Sequence, residues 1–174
     1  MKRILKPLGL FMLATLIIIQ FFHPEKNVST SFPLVANDIS SAYHVPDNVQ
    51  KILQTSCFDC HSNNTKYPWY SKIQPVAWWL ADHIKEGKKE LDFSEFASYR
   101  IGRQYKKLEE INEQIKEGEM PLTSYTLIHT NAKLDEQQKL SIANWVTALR
   151  DSIKAHYPED SLKRPQKPKQ APTK

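Results

Sequence analysis

Cysteine is nearly absent from this chain: only Cys57 and Cys60 occur among its 174 residues. One pair of thiols cannot form a disulfide framework. A bond between them would close so small a loop that it removes little entropy from the unfolded chain. The pair is therefore better explained by a chemical role than by cross-linking.

Glycine and strand-like patterns are also scarce. Between residues 46 and 157 the only glycines are Gly87, Gly102 and Gly118, and runs of β-branched residues are few. Apolar residues recur at helical spacing in four stretches instead. These are Val49, Ile52 and Leu53; Val76, Trp79, Leu80, His83 and Ile84; Ile101, Tyr105, Leu108, Ile111 and Ile115; and Leu134, Leu140, Ile142, Trp145, Val146 and Leu149. We predict an all-α domain of four or five helices.

Residues that favour helix ends flank these stretches. Asp47 and Asp135 lie near two predicted starts, and Ser94 is placed to cap a third. Gly87 and Gly118 are predicted to end the second and third helices.

The middle of the chain lacks an excess of positive charge. The formal net charge is +5, but residues 1–6 and 161–174 contain three and five basic residues and no acidic one. The remaining residues, 7–160, contain 16 basic and 19 acidic residues. A basic groove for nucleic acid is therefore not supported.

One long hydrophobic run occurs, at the N-terminus. Residues 4–22 contain a single charge, Lys6, and follow Lys2 and Arg3. As a helix, these 19 residues are about 28 Å long, close to the thickness of a bilayer core. No small-residue cleavage site follows, so the segment is predicted to be a retained membrane anchor rather than a cleaved signal. Basic residues on its N-terminal side predict an inner-membrane protein whose domain faces the periplasm.

Composition divides the chain into four parts. Residues 1–23 are the membrane anchor or signal segment, and the polar residues 24–45, interrupted by Pro33, are a linker. Residues 46–157 form the helical domain. Residues 158–174 are rich in lysine and proline, with little to bury, and are predicted to be a disordered basic tail.

The pair Cys57 and Cys60 has four interpretations. The case for a structural disulfide is weak, because so short a loop adds little stability. A thioredoxin-like dithiol requires a βαβ context, and no strand pattern is present. A structural zinc site requires four ligands, and His61 is too close to complete a paired pattern while His83 and His129 stand alone.

Covalent haem attachment is the fourth interpretation, and it accounts for His61 as well. On a helical turn, positions i, i+3 and i+4 share one face, so Cys57, Cys60 and His61 converge. Two thiols can then reach two vinyl groups of one porphyrin while the imidazole turns toward the iron. The C-x-x-C-H spacing thus predicts one covalently attached haem c.

Met120 is the candidate for the sixth ligand of the iron. It is the only methionine outside the start and the hydrophobic segment, and it lies in a predicted loop between Gly118 and Pro121. A thioether with histidine is a known pair of haem ligands. Simple packing of Met120 is the alternative, and His83 and His129 are rival ligands.

Longer stretches of the sequence resemble known families. The order of helix, "CFDCH", further helices, "EMP" and a final helix resembles a class I cytochrome c. The stretches "CFDCHSNNTKYPWYSKIQPVAWWLADHIKEGKKELDFSEF" and "QIKEGEMPLTSYTLIHTNAKL" are similar to the bacterial haem-binding domain family built around a C-x-x-C-H motif. The resemblance covers about residues 46–150. It implies haem on Cys57 and Cys60, His61 as the proximal ligand and, by analogy with cytochrome c, Met120 as the distal ligand.

Two details of the surroundings are also predicted. An aromatic cluster is expected either to form a wall of the haem pocket or to belong to the ordinary core; its members are Tyr67, Trp69, Tyr70, Trp78 and Trp79. The carbonyl of Pro68 or of Pro75 is expected to accept a hydrogen bond from the His61 ring.

The expected function is that of a membrane-tethered periplasmic monohaem c-type cytochrome that passes single electrons between redox partner proteins. No acid–base pair, nucleophile or phosphate loop suggests catalysis, so a carrier is favoured over an enzyme. The alternative is a five-coordinate haem enzyme, peroxidase-like, or a gas or redox sensor.

Overall fold

The structure is a computed structural model that describes residues 2–29 and 36–163. Within these residues it is helical, without a strand, and an isolated antiparallel bridge joins Val28 to Asn64. The α-helices are α1 (Lys2–Ile19), α2 (Ile39–Ala42), α3 (Asp47–Ser56), α4 (Phe58–His61), α5 (Val76–Glu90), α6 (Ile101–Glu117), α7 (Thr123–Thr126), α8 (Glu136–His156) and α9 (Glu159–Leu162). Short 3₁₀ helices cover Trp69–Lys72, Phe93–Ser98 and Thr130–Ala132. The predicted all-α class is confirmed.

Helices α3, α6 and α8 enclose the core. Each has a buried stripe at helical spacing, as with Leu108, Ile111 and Ile115 on α6. Helix α8 packs against both α3 and α6. Phe93 and Phe96 of the 3₁₀ helix are fully buried against them. Burial of one apolar stripe per helix therefore holds the domain together.

Two ends of the long helices are formed by the residues predicted to cap them. The Asp135 carboxylate accepts from the Gln138 amide, and the Gln138 side chain accepts from the Asp135 amide, which makes a capping box. Gly118 ends α6 in the left-handed conformation, with φ at 77°. Both predictions are confirmed.

Other predicted ends are wrong. Helix α5 continues past Gly87 to Glu90. Gly87 does not end the helix and instead permits close packing against the cysteine turn, as described below. Ser94 caps no long helix. Asp92 caps the 3₁₀ helix instead, and α6 begins only at Ile101. Asp47 is the first residue of α3, after Pro46.

The N-terminal helix is shorter than predicted. Helix α1 stops at Ile19 and contains Lys2, Arg3 and Lys6. Among the residues that the structure describes, no helix has the length and apolar character needed to cross a membrane. The predicted spanning helix over residues 4–22 is therefore not supported. Many apolar side chains of α1 are exposed, including Leu10 and Phe11.

Segments on either side of the main domain contact it. Ile39, in the predicted linker, is completely buried in the core. Helix α9 lies so close to α6 that a Cβ at Gly102 would come within 2.8 Å of the Ser161 carbonyl oxygen. Residues 30–35 of the predicted linker and 164–174 of the predicted tail lie outside the described residues.

Candidate functional site

The cysteine motif forms a tight turn after α3. Cys57, at φ −125° and ψ −43°, interrupts the helix, and α4 begins at the next residue. The Cys57 carbonyl then accepts hydrogen bonds from the amides of Cys60, at 3.2 Å, and His61, at 3.0 Å. Both cysteines are free and half-buried. The predicted convergence of the three residues on one turn is thus present.

Two cavities adjoin at this turn. The first, about 400 Å³, has mostly apolar walls from α3, α6 and the segments that follow α5 and α6. The second, about 340 Å³, extends toward α5 and α7 and includes Cys60 in its wall. Six residues line both cavities: Ser56, Cys57, His61, Glu90, Met120 and Pro121.

His61 is held by a backbone carbonyl. Its Nδ1 donates to the Leu91 oxygen at 2.9 Å, which leaves Nε2 with the lone pair of a neutral ring. Burial is the largest influence on this ring and lowers the pKa of His61, against the opposing effect of the Leu91 and Gly87 carbonyls. A neutral imidazole with an oriented Nε2 is the form that coordinates a metal.

The partner predicted for this ring is wrong. The Pro68 carbonyl accepts from the Ser71 amide, and the Pro75 carbonyl accepts from the Trp79 amide. Both proline carbonyls are thus engaged in the turns that they begin, and the chain just after α5 supplies the acceptor for His61.

The surroundings of the thiols do not favour the dithiol or zinc interpretations. Burial raises the pKa of Cys57 to about 12 and that of Cys60 to about 11, so both are neutral thiols. Reactive dithiols depend on a lowered pKa. Within residues 2–29 and 36–163, no three side chains of His, Cys, Asp or Glu form a group that could hold a metal ion.

Met120 lies on the loop that the sequence predicts. Gly118 turns the chain out of α6, and the amides of Glu119 and Met120 both donate to the Gln114 carbonyl, at 3.0 and 3.2 Å. Met120 is half-buried and lines both cavities with His61. The structure therefore brings together a thioether and an imidazole that are 59 positions apart in the sequence.

The rival histidines differ in position. His83 lines the second cavity, with Nδ1 donating to the Trp79 carbonyl at 2.8 Å and its ring against the indole of Trp79. His129 lines neither cavity and is hydrogen-bonded through Nε2 to the Tyr70 hydroxyl at 2.6 Å.

The wall of the first cavity is mostly aliphatic, and Phe93 contributes a phenyl ring to it. Of the predicted aromatic cluster, Trp69 is 76% exposed, Trp78 40% and Trp79 45%, and no member lines either cavity. The interpretation as a pocket wall is therefore wrong. The apolar lining comes instead from Leu53, Leu91, Phe93, Ile111, Ile115, Pro121 and Leu134.

Gly87 was not recognised as a site residue from the sequence. A Cβ at this position would lie 2.9 Å from the Cys60 carbonyl oxygen and 3.3 Å from its Cβ. The absence of a side chain therefore lets α5 pack directly on the cysteine turn. The sequence did contain an indication of this role, because a glycine inside an amphipathic helical pattern often marks a close packing contact.

Tyr125 and Asp59 were also missed. The Tyr125 hydroxyl donates to Asp59 Oδ2 at 2.7 Å, which ties α7 to the turn between the two cysteines. Burial, followed by this carboxylate, raises the pKa of Tyr125. Because the partners are 66 positions apart, no sequence spacing indicated the contact.

Comparison with known families agrees with the location of this site. The model of a family described as a haem-binding domain matches residues 14–148. The match spans the cysteine turn, the residues that line both cavities, and Met120. The search of curated proteins and the search of solved structures each found no match.

Proposed function

Because the chain belongs to the haem-binding domain family, we propose that it is a c-type cytochrome with one haem attached through Cys57 and Cys60. It passes single electrons between redox partner proteins. One observation carries this proposal: both cysteines, His61 and Met120 line two adjoining cavities.

The residues at these cavities fit a haem group. The first cavity is lined mainly by apolar side chains, as a porphyrin requires. The donor set consists of an oriented imidazole nitrogen and a thioether sulfur, both of which bind haem iron. When bound, haem supplies reversible one-electron chemistry at its iron.

Each residue has a distinct role in this proposal. Cys57 and Cys60 fix the porphyrin through thioether bonds to its vinyl groups. His61 is the proximal ligand, with its ring orientation set by the Leu91 carbonyl. Met120 is the distal ligand, and as a neutral sulfur it favours ferrous iron and raises the potential.

We also propose that the domain lies at the inner membrane and faces the periplasm. The basic residues Lys2, Arg3 and Lys6 precede the apolar part of α1, a charge distribution typical of export. The exposed apolar side chains of α1, such as Leu10 and Phe11, are the proposed contact with lipid.

The test of the cytochrome proposal is the mass and spectrum of the protein expressed with haem-attachment machinery. We expect one added haem that resists acid–acetone extraction and undergoes a reversible one-electron titration. Cys57→Ser with Cys60→Ser should lose the covalent haem, whereas Thr55→Ala, at an exposed position just before the motif that lines neither cavity, should keep it. An unmodified mass for the parent chain would contradict the proposal. Attached haem that binds peroxide or carbon monoxide readily would favour the enzyme or sensor alternative.

A further inference from the structure

Four aromatic side chains form a continuous series of ring contacts, called the stack below, that begins at the second cavity. Tyr125 lines that cavity together with Cys60. Its ring stacks on His129, with centroids 4.4 Å apart and planes inclined by 20°. The other two contacts are edge-to-face. The His129 and Tyr70 centroids are 6.1 Å apart with planes inclined by 61°, and the Tyr70 and Trp69 centroids are 5.8 Å apart with planes inclined by 81°. These separations are typical of aromatic rings in contact.

The two ends of the stack differ in exposure. Tyr125 is half-buried against the cysteine turn, whereas the Trp69 side chain is 76% exposed. A large indole at that exposure is not explained by core packing. The stack therefore joins the candidate haem cavity to solvent through rings alone.

Hydrogen bonds hold the inner three rings in place. Tyr125 donates to Asp59 Oδ2 at 2.7 Å, and the Tyr70 hydroxyl is hydrogen-bonded to His129 Nε2 at 2.6 Å. Asp59 lies between the two cysteines of the motif. The position of the stack is thus tied to the residues that would carry the haem.

We propose that the stack Tyr125–His129–Tyr70–Trp69 is the route by which electrons pass between the haem cavity and a redox partner at the surface beside Trp69. This inference rests on the proposed electron-carrier function. Tunnelling weakens steeply across gaps between non-bonded groups, and rings in van der Waals contact leave only short gaps along the route. One electron crosses: ferrous iron becomes ferric and a one-electron acceptor at the surface is reduced. The rings keep their protons and are not themselves oxidised.

The experiment uses the haem-loaded protein with a ruthenium–bipyridine label on an introduced cysteine. With Cys57 and Cys60 bonded to haem, the new cysteine is the only free thiol. Lys72→Cys places the label in the same 3₁₀ turn as Trp69, and Lys154→Cys places it on α8. Both lysines are exposed. Flash oxidation of the label followed by haem absorbance measures the rate at which the label takes an electron from ferrous haem.

Substitutions in the stack distinguish a route from a packing role. Tyr70→Leu and His129→Leu should slow electron transfer to the Lys72→Cys label several-fold and leave the rate to the Lys154→Cys label unchanged. Tyr70→Phe keeps the ring but loses the hydrogen bond, and it should restore most of the lost rate. Trp78→Leu, which removes an exposed indole outside the stack, is the matched control and should leave both rates unchanged.

Equal effects of Tyr70→Leu on both labels, or no effect on either, would overturn the route. So would a rate in Tyr70→Phe as low as in Tyr70→Leu, because the hydrogen bond rather than the ring would then matter. Failure of the proposed function is a separate outcome: the parent protein would carry no covalent haem or would show no reversible reduction.

A second measurement tests the stack without electron transfer. In nuclear magnetic resonance spectra of the ferrous protein, the ring protons of His129 should be shifted upfield by stacking on Tyr125. The shift should disappear in Tyr125→Leu. Unshifted His129 protons in the parent would show that the stack does not form, and the proposal would fail.

Discussion

At the scale of single side chains, the proposed electron-carrier function depends on two residues, His61 and Met120. The His61 ring is oriented by its hydrogen bond to the Leu91 carbonyl. Met120 lies on a loop and lines both cavities. In the proposed role of distal ligand, its removal should change the reduction potential and the coordination of the iron without preventing covalent attachment.

Met120→Leu is expected to keep covalent haem, lower the reduction potential and open the sixth coordination position to carbon monoxide in the ferrous state. Leucine has nearly the same volume, so the cavity wall stays filled. Redox titration and carbon monoxide difference spectra check this. Met12→Leu, on the exposed surface of α1, is the control and should change neither. An unchanged potential in Met120→Leu would assign the ligand role to His83 or leave the position open.

Tyr125→Phe removes the hydrogen bond to Asp59 while keeping the ring. A hydrogen bond to a charged, partly buried group is worth about 1 to 2 kcal/mol of stability, so the free energy of unfolding should fall by that amount. Denaturant titration measures the change. Tyr105→Phe is the control, because the contact described for Tyr105 is between its ring and Arg150. Equal stabilities for Tyr125→Phe and the parent would show that the hydrogen bond contributes nothing.

At the scale of elements, the position of the cysteine turn depends on how closely α5 approaches it. Gly87 permits that approach because any side chain there meets the backbone of Cys60. The same glycine costs α5 some helix propensity. The close contact between α5 and the cysteine turn thus offsets the lower helix propensity of glycine.

Gly87→Ala is expected to lower the free energy of unfolding by about 1 to 3 kcal/mol and to reduce the yield of attached haem, because α5 must move away from α4. Gly9→Ala is the matched control. It also lies inside a helix, but nothing is within 4 Å of its Cβ position, so stability should be unchanged or slightly higher. Denaturant titration and haem-to-protein absorbance ratios measure both effects. A Gly87→Ala protein as stable as Gly9→Ala would contradict the close contact.

The interface between α6 and α8 includes an ion pair whose strength depends on pH. Glu109 Oε1 lies 3.0 Å from Arg150 Nη2. The hydrogen bond from Lys106, followed by the charge of Arg150, lowers the pKa of Glu109 below its ordinary value of 4.5. A carboxyl with a lowered pKa in the folded state contributes stability above its ordinary pKa, and this contribution is lost as the pH falls through the lowered value.

Glu109→Gln should therefore lower the free energy of unfolding at pH 7, by less than about 1 kcal/mol because the pair is partly exposed. The difference from the parent should disappear at an acidic pH far enough below 4.5 that the Glu109 carboxyl is protonated in the folded state as well. Glu113→Gln, an exposed position on the same helix, should show little difference at either pH. Denaturant titrations at the two pH values provide the test. A difference that persists at the lower pH would mean that packing, not charge, explains it.

At the scale of the whole molecule, α1 is joined to the haem-binding domain by specific contacts. The Gln74 amide donates to Gln20 Oε1, and the Gln74 side chain donates to the Phe22 carbonyl at 2.6 Å. The segment that follows α1 is thus hydrogen-bonded to the helical domain. In the proposed location at the membrane, a lipid contact through α1 would therefore hold the domain close to the bilayer surface.

Cell fractionation tests this location. The protein should be recovered with inner membranes, and protease added to spheroplasts should digest its domain while a cytoplasmic marker stays intact. The physical reason is the charge asymmetry around the apolar part of α1. A domain protected from protease in intact spheroplasts would contradict the periplasmic orientation, and recovery in the soluble periplasmic fraction would contradict the membrane contact.

The sequence by itself determined what depends on neighbours within a few positions. Helical periodicity predicted the long helices, since every helix buries one stripe whatever it packs against. The spacing of Cys57, Cys60 and His61 placed them on one turn, and Gly118 predicted the loop that carries Met120. Helix ends at Ser94 and Gly87 were predicted incorrectly because tertiary contacts override local preference there.

Only the tertiary structure decided which distant groups meet. The acceptor for His61 is the carbonyl of Leu91, 30 positions away, and Tyr125 reaches Asp59 across 66 positions. The pocket wall is mostly aliphatic because α3 and α6 present their buried stripes to the cavity, while Trp69, Trp78 and Trp79 remain at the surface. Periodicity shows that a face is buried but not which face it meets, and packing of the whole chain supplies that pairing.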